Sequence, residues 1–197
     1  PTFGTPEAML AYMAVGQLGR RLGVPLRCGG AFTSSKVGDA QAAQESAQSL
    51  LPAMLSGTNF VLHAAGWLEG GLTIGYEKLI QDADRCGMMA KMFAGLALEG
   101  DDFALDAYRE TEHGQHFLGA AHTMRHYATA FYESNVADSK PYEQWLDEGE
   151  STEEQRASEI WQQQLAAYQP PPIDDAADEA LREYIAKTKA SREERWY

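Results

Sequence analysis

Val24-Pro25-Leu26-Arg27-Cys28-Gly29 and Asn59-Phe60-Val61-Leu62-His63-Ala64 are the two segments on which the fold reading turns. Each is a short apolar run bounded by turn-forming residues, the pattern of a strand. One helical pattern lies between them. Asp39 is a good N-cap, Ala43, Ala47, Leu50, Leu51 and Met54 share a face, and Gly57 ends the run. Pro52 is expected to kink or shorten this helix. Strand, crossover helix and strand within about 40 residues is the length of a βαβ unit.

Working outward, Thr5-Pro6-Glu7 opens a preceding helix, Leu10, Ala14, Leu18 and Leu22 recur along one face of it, and Gly23 supplies its stop. A Gly-rich loop, Gly66-Trp67-Leu68-Glu69-Gly70-Gly71, follows the second strand, and a long helix is expected from Tyr76 to Leu96. Beyond residue 100 the pattern predicts helices only, over 101–111, 119–131, 152–168 and 175–192, with Pro170-Pro171-Pro172 as a stiff spacer. Two parallel strands cannot bury both faces of a sheet and leave two raw edges. The rest of the sheet is therefore expected on chain outside these 197 residues, in keeping with a first residue that is Pro1 rather than Met.

The formal charge is −13, which argues against nucleic acid as the main partner, because phosphates need Lys and Arg. The acidity is uneven: residues 1–100 carry seven Lys/Arg against eight Asp/Glu, and residues 101–197 carry nine against 21. The acidic half reads either as solvated helix or as a docking face for a basic partner. No run of about 18 apolar residues exists, so no membrane-spanning helix is expected. No basic-then-apolar leader opens the chain. Cys28 and Cys86 cannot frame a disulfide scaffold and read as free thiols, so the expected location is the cytoplasm. No G-x-S-x-G, Walker loop or G-x-G-x-x-G follows a strand, which removes most support for nucleotide hydrolysis and dinucleotide redox chemistry.

In parallel α/β proteins the loops after the strands' C-terminal ends build the active site. That rule selects Arg27 to Asp39 and His63 to Tyr76. His63, last polar residue of its strand, reads either as a buried histidine or as a catalytic or ligand-contacting one. Glu69 reads as a solvated loop carboxylate, a general base or a cation partner. Trp67 and Tyr76 flank the same loop, and aromatic faces attract desolvated cations, quaternary ammonium above all, when they are not simply packing. His113, His116, His122 and His126 form H-x₂-H-x₅-H-x₃-H. His122 and His126 share a helix face, but no accompanying zinc motif supports a metal site and none is assigned.

These same segments carry a family resemblance. Gly29-Gly30-Ala31-Phe32-Thr33-Ser34-Ser35-Lys36 with Asp39-Ala40-Gln41, and the run from Asn59 through Gly71, resemble the trimethylamine:corrinoid methyltransferase family. Tyr76-Glu77-Lys78 with Asp82, Asp84, Gly87 and Met88 continues the match. So do His116-Phe117-Leu118-Gly119 with His122-Thr123, Tyr142-Glu143-Gln144-Trp145 and Ile160-Trp161. The resemblance implies an α/β fold on the TIM (β/α)₈ barrel plan, in chains roughly twice this length or more. This chain would be the C-terminal portion: residues 1–132 the last β/α units, and 133–197 an acidic helical tail.

The resemblance further implies transfer of a methyl group from a methylated amine to the cobalt of a corrinoid (cobalamin) carried on a separate protein. Only standard residues occur, which points to the pyrrolysine-free branch that includes glycine betaine methyltransferases. A quaternary ammonium already carries its charge and leaves as a neutral amine, so Co(I) can attack it with no acid, given positioning and a site for the cation. On this reading His63 and Glu69 are the catalytic candidates, His63 orienting the substrate and Glu69 balancing its charge. Trp67 and Tyr76 wall the ammonium group, His116 and His122 lie nearby in the barrel mouth, and Arg27, or the amides at the helix start near Asp39, hold a substrate carboxylate. The expected partners are the corrinoid protein and a small methylated amine, with homo-oligomerisation left open. The chain alone is not expected to catalyse. The alternative is a non-catalytic relative that binds a quaternary amine or corrinoid without methyl transfer.

Overall fold

The computed structural model describes residues 3–192. Contacts divide the chain into two compact units, Pro1–Gln162 and Gln163–Tyr197.

Helix α1, Pro6–Leu22, starts with Pro6 in its first turn and stops at Gly23, whose φ of 66° is the left-handed cap that glycine adopts without penalty. Strand β1, Arg27–Gly29, leads through a loop to α2, Ala40–Leu55, where the Asp39 carboxylate accepts from the Ala42 amide at 2.9 Å. Strand β2, Phe60–Leu62, then pairs with β1 in parallel, Arg27 opposite Phe60 and Gly29 opposite Leu62. The expected βαβ unit is present. The ladder is shorter than the apolar runs at both ends. At its start Asn59 clamps the chain, its side chain accepting from the Leu26 amide at 2.8 Å while its own amide donates to Leu26 O at 3.0 Å. At its finish His63 turns left-handed, φ 57°, and takes the chain out of the sheet.

The buried face of α1 is not its apolar stripe, and that of α2 shares only Leu50 with its stripe. Met9, Gly16 and Gly19 are buried on α1, whereas Leu10, Leu18 and Leu22 are 55–70% exposed. On α2 the buried set is Ala42, Ser46, Ser49, Leu50 and Ala53. The cause is close approach. A Cβ on Gly16 would lie 2.5 Å from both Ser56 Cβ and Ser56 O, so the contact admits only small residues. Pro52 does not shorten α2, which continues to Leu55. Apolar surface is left exposed on α1 and on Phe60 of β2.

The Gly-rich loop is itself ordered. Strands β3, Trp67–Leu68, and β4, Thr73–Ile74, form an antiparallel hairpin around a 3₁₀ turn at Glu69–Gly71. Helix α3 follows, Tyr76–Phe93. The helix expected over 101–111 is broken by Ala104, φ 50°, into a 3₁₀ turn at Gly100–Phe103 and α4, Leu105–Glu110. A 3₁₀ turn at Phe117–Gly119 precedes α5, Ala121–His126, all that forms of the helix expected over 119–131. Helix α6, Tyr142–Asp147, was not expected; α7 spans Glu153–Ala166.

Residues 132–161 attach to α3 by hydrogen bonds to its charged side chains. Asp84 accepts from Ser134 Oγ at 2.6 Å and from the Asn135 amide at 2.9 Å. Glu77 accepts from Ser158 Oγ at 2.6 Å and Trp161 Nε1 at 2.8 Å, and Arg85 reaches Glu153 at 3.2 Å. Burial pushes the Asp84 carboxyl up, but the hydrogen bonds from Ser134, Asn135 and Tyr132 outweigh it and hold it below the usual carboxylate range. Glu77 is held low chiefly by Ser158, then by its own amide and Trp161. The second unit carries α8, Asp175–Ala190, capped by Asp174 and stitched on its surface by Arg182–Asp178. No helix among the described residues is long and apolar enough to cross a membrane.

Two predictions follow from this packing. Gly16→Ala gains helix propensity of about 1 kcal/mol, but the clash with Ser56 backbone costs about 1–3 kcal/mol. The net expectation is a lower urea midpoint with an unchanged slope. The depressed Glu77 and Asp84 values add stability that is complete above the unfolded carboxylate pKa of about 4 and disappears as pH falls through the folded values. The melting temperature should therefore fall between pH 5 and pH 3, and replacing Asp84 with Asn should flatten that fall.

Candidate functional site

The in-register pairing of β1 and β2 makes their C-terminal ends level, so the loops that follow start side by side. Contact at that start requires glycine. A Cβ at Gly30 would sit 2.7 Å from Ala64 Cα and 2.9 Å from Val61 Cγ1. Further out the loops are joined by backbone bonds, the Glu69 amide to Ser35 O at 2.8 Å and the Gly70 amide to Thr33 O at 2.7 Å. Glu45 of α2 supports the first loop, accepting from Thr33 Oγ1 and the Ser34 amide at 2.7 Å each. Burial pushes the Glu45 carboxyl up, yet its bonds from Thr33, Gln41 and Ser34 leave it lowered.

Four rings gather on these loops. Phe3 stacks on Phe32 with centroids 4.4 Å apart, Phe32 lies 5.3 Å from His63, and His63 meets Trp67 edge-on at 5.1 Å. Phe32 to Trp67 is 6.5 Å. The two catalytic candidates both hold left-handed backbone, His63 at φ 57° and Glu69 at φ 50°. Such conformations cost about 1–3 kcal/mol outside glycine and persist where the surroundings enforce them. The Glu69 carboxylate is exposed and accepts from Thr73 Oγ1 at 3.3 Å.

A buried charge network anchors the second loop from behind. Asp82 is fully buried on α3, and its carboxylate accepts from the Gly66 amide at 3.0 Å, from Arg85 Nη1 at 3.1 Å and from Lys78 Nζ. Lys78, 1% exposed, also donates to Ser46 Oγ of α2 at 2.8 Å. Burial pushes the Lys78 ammonium down, opposed by the charge of Asp82. The network holds Gly66, the residue before Trp67, against the helix and crossover beneath it.

The other predicted residues have other neighbours. Tyr76, first residue of α3, stacks on Trp161 of α7 with centroids 4.9 Å apart. Arg27 stands at the N-terminal end of β1, opposite Phe60, away from the loops. The start of α2, considered for a substrate carboxylate, is capped by Asp39 itself. His116 borders a cleft of about 400 Å³ shared with Glu110, Glu112 and Gln115. His122 lies against His126, centroids 4.5 Å apart. A cleft of about 660 Å³, lined by Met88, Tyr132, Lys140 and Arg156 among others, shares no residue with the ring cluster. Sequence reasoning missed Phe32, although it lies in the first loop that the strand-end rule selects. It also missed Phe3 and the Lys78–Asp82 pair, for which the i, i+4 spacing was the available signal.

Ring faces and an exposed carboxylate in the loops that follow parallel strands suit a desolvated organic cation. The chain belongs to the family described as trimethylamine methyltransferase (MTTB), whose model matches residues 1–193. A relative named glycine betaine methyltransferase, from Desulfitobacterium hafniense (strain Y51), is 40% identical over 186 residues, covering 94% of this chain and 39% of the relative. A trimethylamine methyltransferase MttB from another strain of that species (DSM 10664 / DCB-2) is 28% identical over 186 residues, 94% of this chain and 37% of the relative. The Methanosarcina barkeri (strain Fusaro) protein of the same name is 30% identical over 192 residues, 91% of this chain and 38% of the relative. The chain thus spans about two fifths of the length of these relatives, 37–39% in these three. The resemblance seen in the sequence runs is borne out at the level of family.

Asp82 serves three donors and Lys78 only two acceptors, so their removal should differ in cost. Asp82→Asn leaves a buried ammonium without its counter-charge and should cost about 3–5 kcal/mol. Lys78→Met leaves Asp82 with Arg85 and Gly66 and should cost visibly less. Chemical denaturation of the two variants side by side checks the order.

Proposed function

We propose that the protein moves a methyl group from a methylated amine, quaternary rather than tertiary, to the Co(I) of a corrinoid held by a separate protein. The βαβ unit described here would be part of an eight-stranded barrel, with 37–39% coverage of the relatives leaving room for the remaining strands. The observation that carries the substrate class is the cluster of Phe32, His63 and Trp67, with Glu69 beside it in sequence, at the paired strand ends.

The corrinoid is a second substrate, and its cobalt supplies the nucleophile. The chain's own residues then have limited tasks. Trp67 presents a ring face to the ammonium group, an attraction of about 2 kcal/mol or more once water is excluded, and Phe32, itself buried and stacked on Phe3, supports the cluster. Glu69 offsets the positive charge of the bound donor. His63, fixed by its backbone turn between two rings, orients the rest of the substrate. No proton donor is required, because the departing group is a neutral amine. The 40% identity to a protein named for glycine betaine supports a quaternary donor that also bears a carboxylate. Tyr76, Arg27, His116 and His122 stay outside this core, given their other neighbours.

The test uses the full-length protein, a corrinoid protein reduced to Co(I) and a panel of methylated amines, read by the cobalt spectrum. Conversion with a quaternary donor is expected. A flat trace with every donor, given an active corrinoid partner, favours the alternative of a binding protein without methyl transfer. Trp67→Ala should weaken donor binding about 30-fold, the equivalent of about 2 kcal/mol. Unchanged affinity in that variant sinks the ring-cage reading while leaving the reaction class standing.

A further inference from the structure

The His-rich segment has a second feature, separate from the ring cluster. His122 and His126 occupy successive turns of α5, and Asp101 reaches them from the 3₁₀ turn at Gly100–Phe103. One donor atom from each of the three lies within 4.8 Å of the others, and His126 Nε2 is 3.2 Å from Asp101 Oδ2. We propose that Asp101, His122 and His126 form a binding site for a divalent transition-metal ion, with zinc the best match.

The donor set selects the class. Two imidazoles and one carboxylate suit borderline metals, whereas magnesium and calcium prefer oxygen throughout. Zinc binds imidazole nitrogen at about 2.0–2.1 Å and commonly takes three protein ligands with a water in fourth place. Small side-chain rotations bring three atoms already this close onto one ion. All three residues are at least partly exposed, so an ion has access without opening the fold.

Arg125 is the competitor. Its guanidinium donates to both Asp101 oxygens at 2.8 Å. Both Asp101 and Arg125 are about half exposed, and an exposed ion pair of this kind is weak enough for a metal to displace or share. The pairing also holds Asp101 beside α5 before any ion arrives.

The surrounding packing gives the ion a task. Among the described residues of 100–130, only Ala107 and Ala120 are buried, and every helical piece there is six residues or shorter. Such short helices are marginal without tertiary support. A metal bridging the 3₁₀ turn to α5 would staple a stretch whose apolar core is thin.

The test is a zinc titration of the chelator-stripped full-length protein against a chromophoric competitor at neutral pH, with cobalt(II) as a spectroscopic stand-in. One zinc equivalent is expected. Asp101→Asn, His122→Ala and His126→Ala should each weaken it tenfold or more, and His113→Ala should leave it unchanged. Hydrogen exchange across 121–126 should slow when zinc is added to the parent and not to His126→Ala. These partly exposed positions tolerate substitution, and far-UV circular dichroism verifies that each variant is folded. No binding at micromolar zinc overturns the proposal. So does binding that survives all three substitutions, or that His113→Ala weakens equally.

Discussion

Asp82 has no contact with water and carries a charge, so the structure is obliged to satisfy it. It does so with Lys78 and Arg85 from its own helix and with the Gly66 amide from the loop after β2. Lys78 passes the connection on to Ser46 in the crossover helix. Outward along α3, Glu77 holds α7, Asp84 holds the chain at 134–135, and Arg85 holds Glu153. Much of the first unit is thus tied to α3 through charged side chains bonded to polar partners. Networks of this kind tolerate few vacancies, because each buried group left alone pays its full desolvation cost. They also specify geometry more narrowly than apolar contact does, which suits a helix that fixes the residue before Trp67.

The parts of this architecture legible in the sequence are those governed by local chemistry. The Asp39 cap, the Gly23 stop, the two apolar runs and the parallel crossover between them all depend on neighbouring residues. Burial was less legible. The stripe Leu10, Ala14, Leu18 and Leu22 is the most obvious apolar face of α1, yet the helix turns Met9, Gly16 and Gly19 inward. Hydrophobic periodicity finds the greasiest face, whereas tight helix contact selects the smallest one. The candidate site was partly legible for a related reason. The strand-end rule located His63, Trp67 and Glu69, because connectivity alone sets where those loops begin. Phe3 could not be found that way, since its place on Phe32 comes from the chain's entry into α1, far from either loop in sequence. Nor could Asp101, which reaches α5 across a left-handed break at Ala104.

The uncovered apolar surface agrees with the family comparison. Leu10, Leu18, Leu22 and Phe60 face solvent in the chain as it stands, and among the described residues β1 and β2 have only each other as ladder partners. The relatives are about two and a half times as long as this chain, and in chains of that length the additional residues would be enough to cover such surfaces. The proposed barrel is the arrangement that covers both strand edges at once.

The β3–β4 hairpin stands apart from the parallel ladder in one respect. It has its own antiparallel bonds, Trp67 against Ile74 and Leu68 against Thr73, and beside the ring contact of Trp67 with Phe32 its hydrogen bonds to the first loop run between backbone atoms. Backbone bonds are indifferent to side-chain identity. The tip from Glu69 to Leu72 is therefore an exchangeable cassette in evolutionary terms. Its side chains can drift, within the glycine requirements of Gly70 and Gly71, without disturbing the frame that presents Trp67. A lineage could change what this tip contacts by rewriting a handful of codons, while the costly buried charges beneath stay as they are.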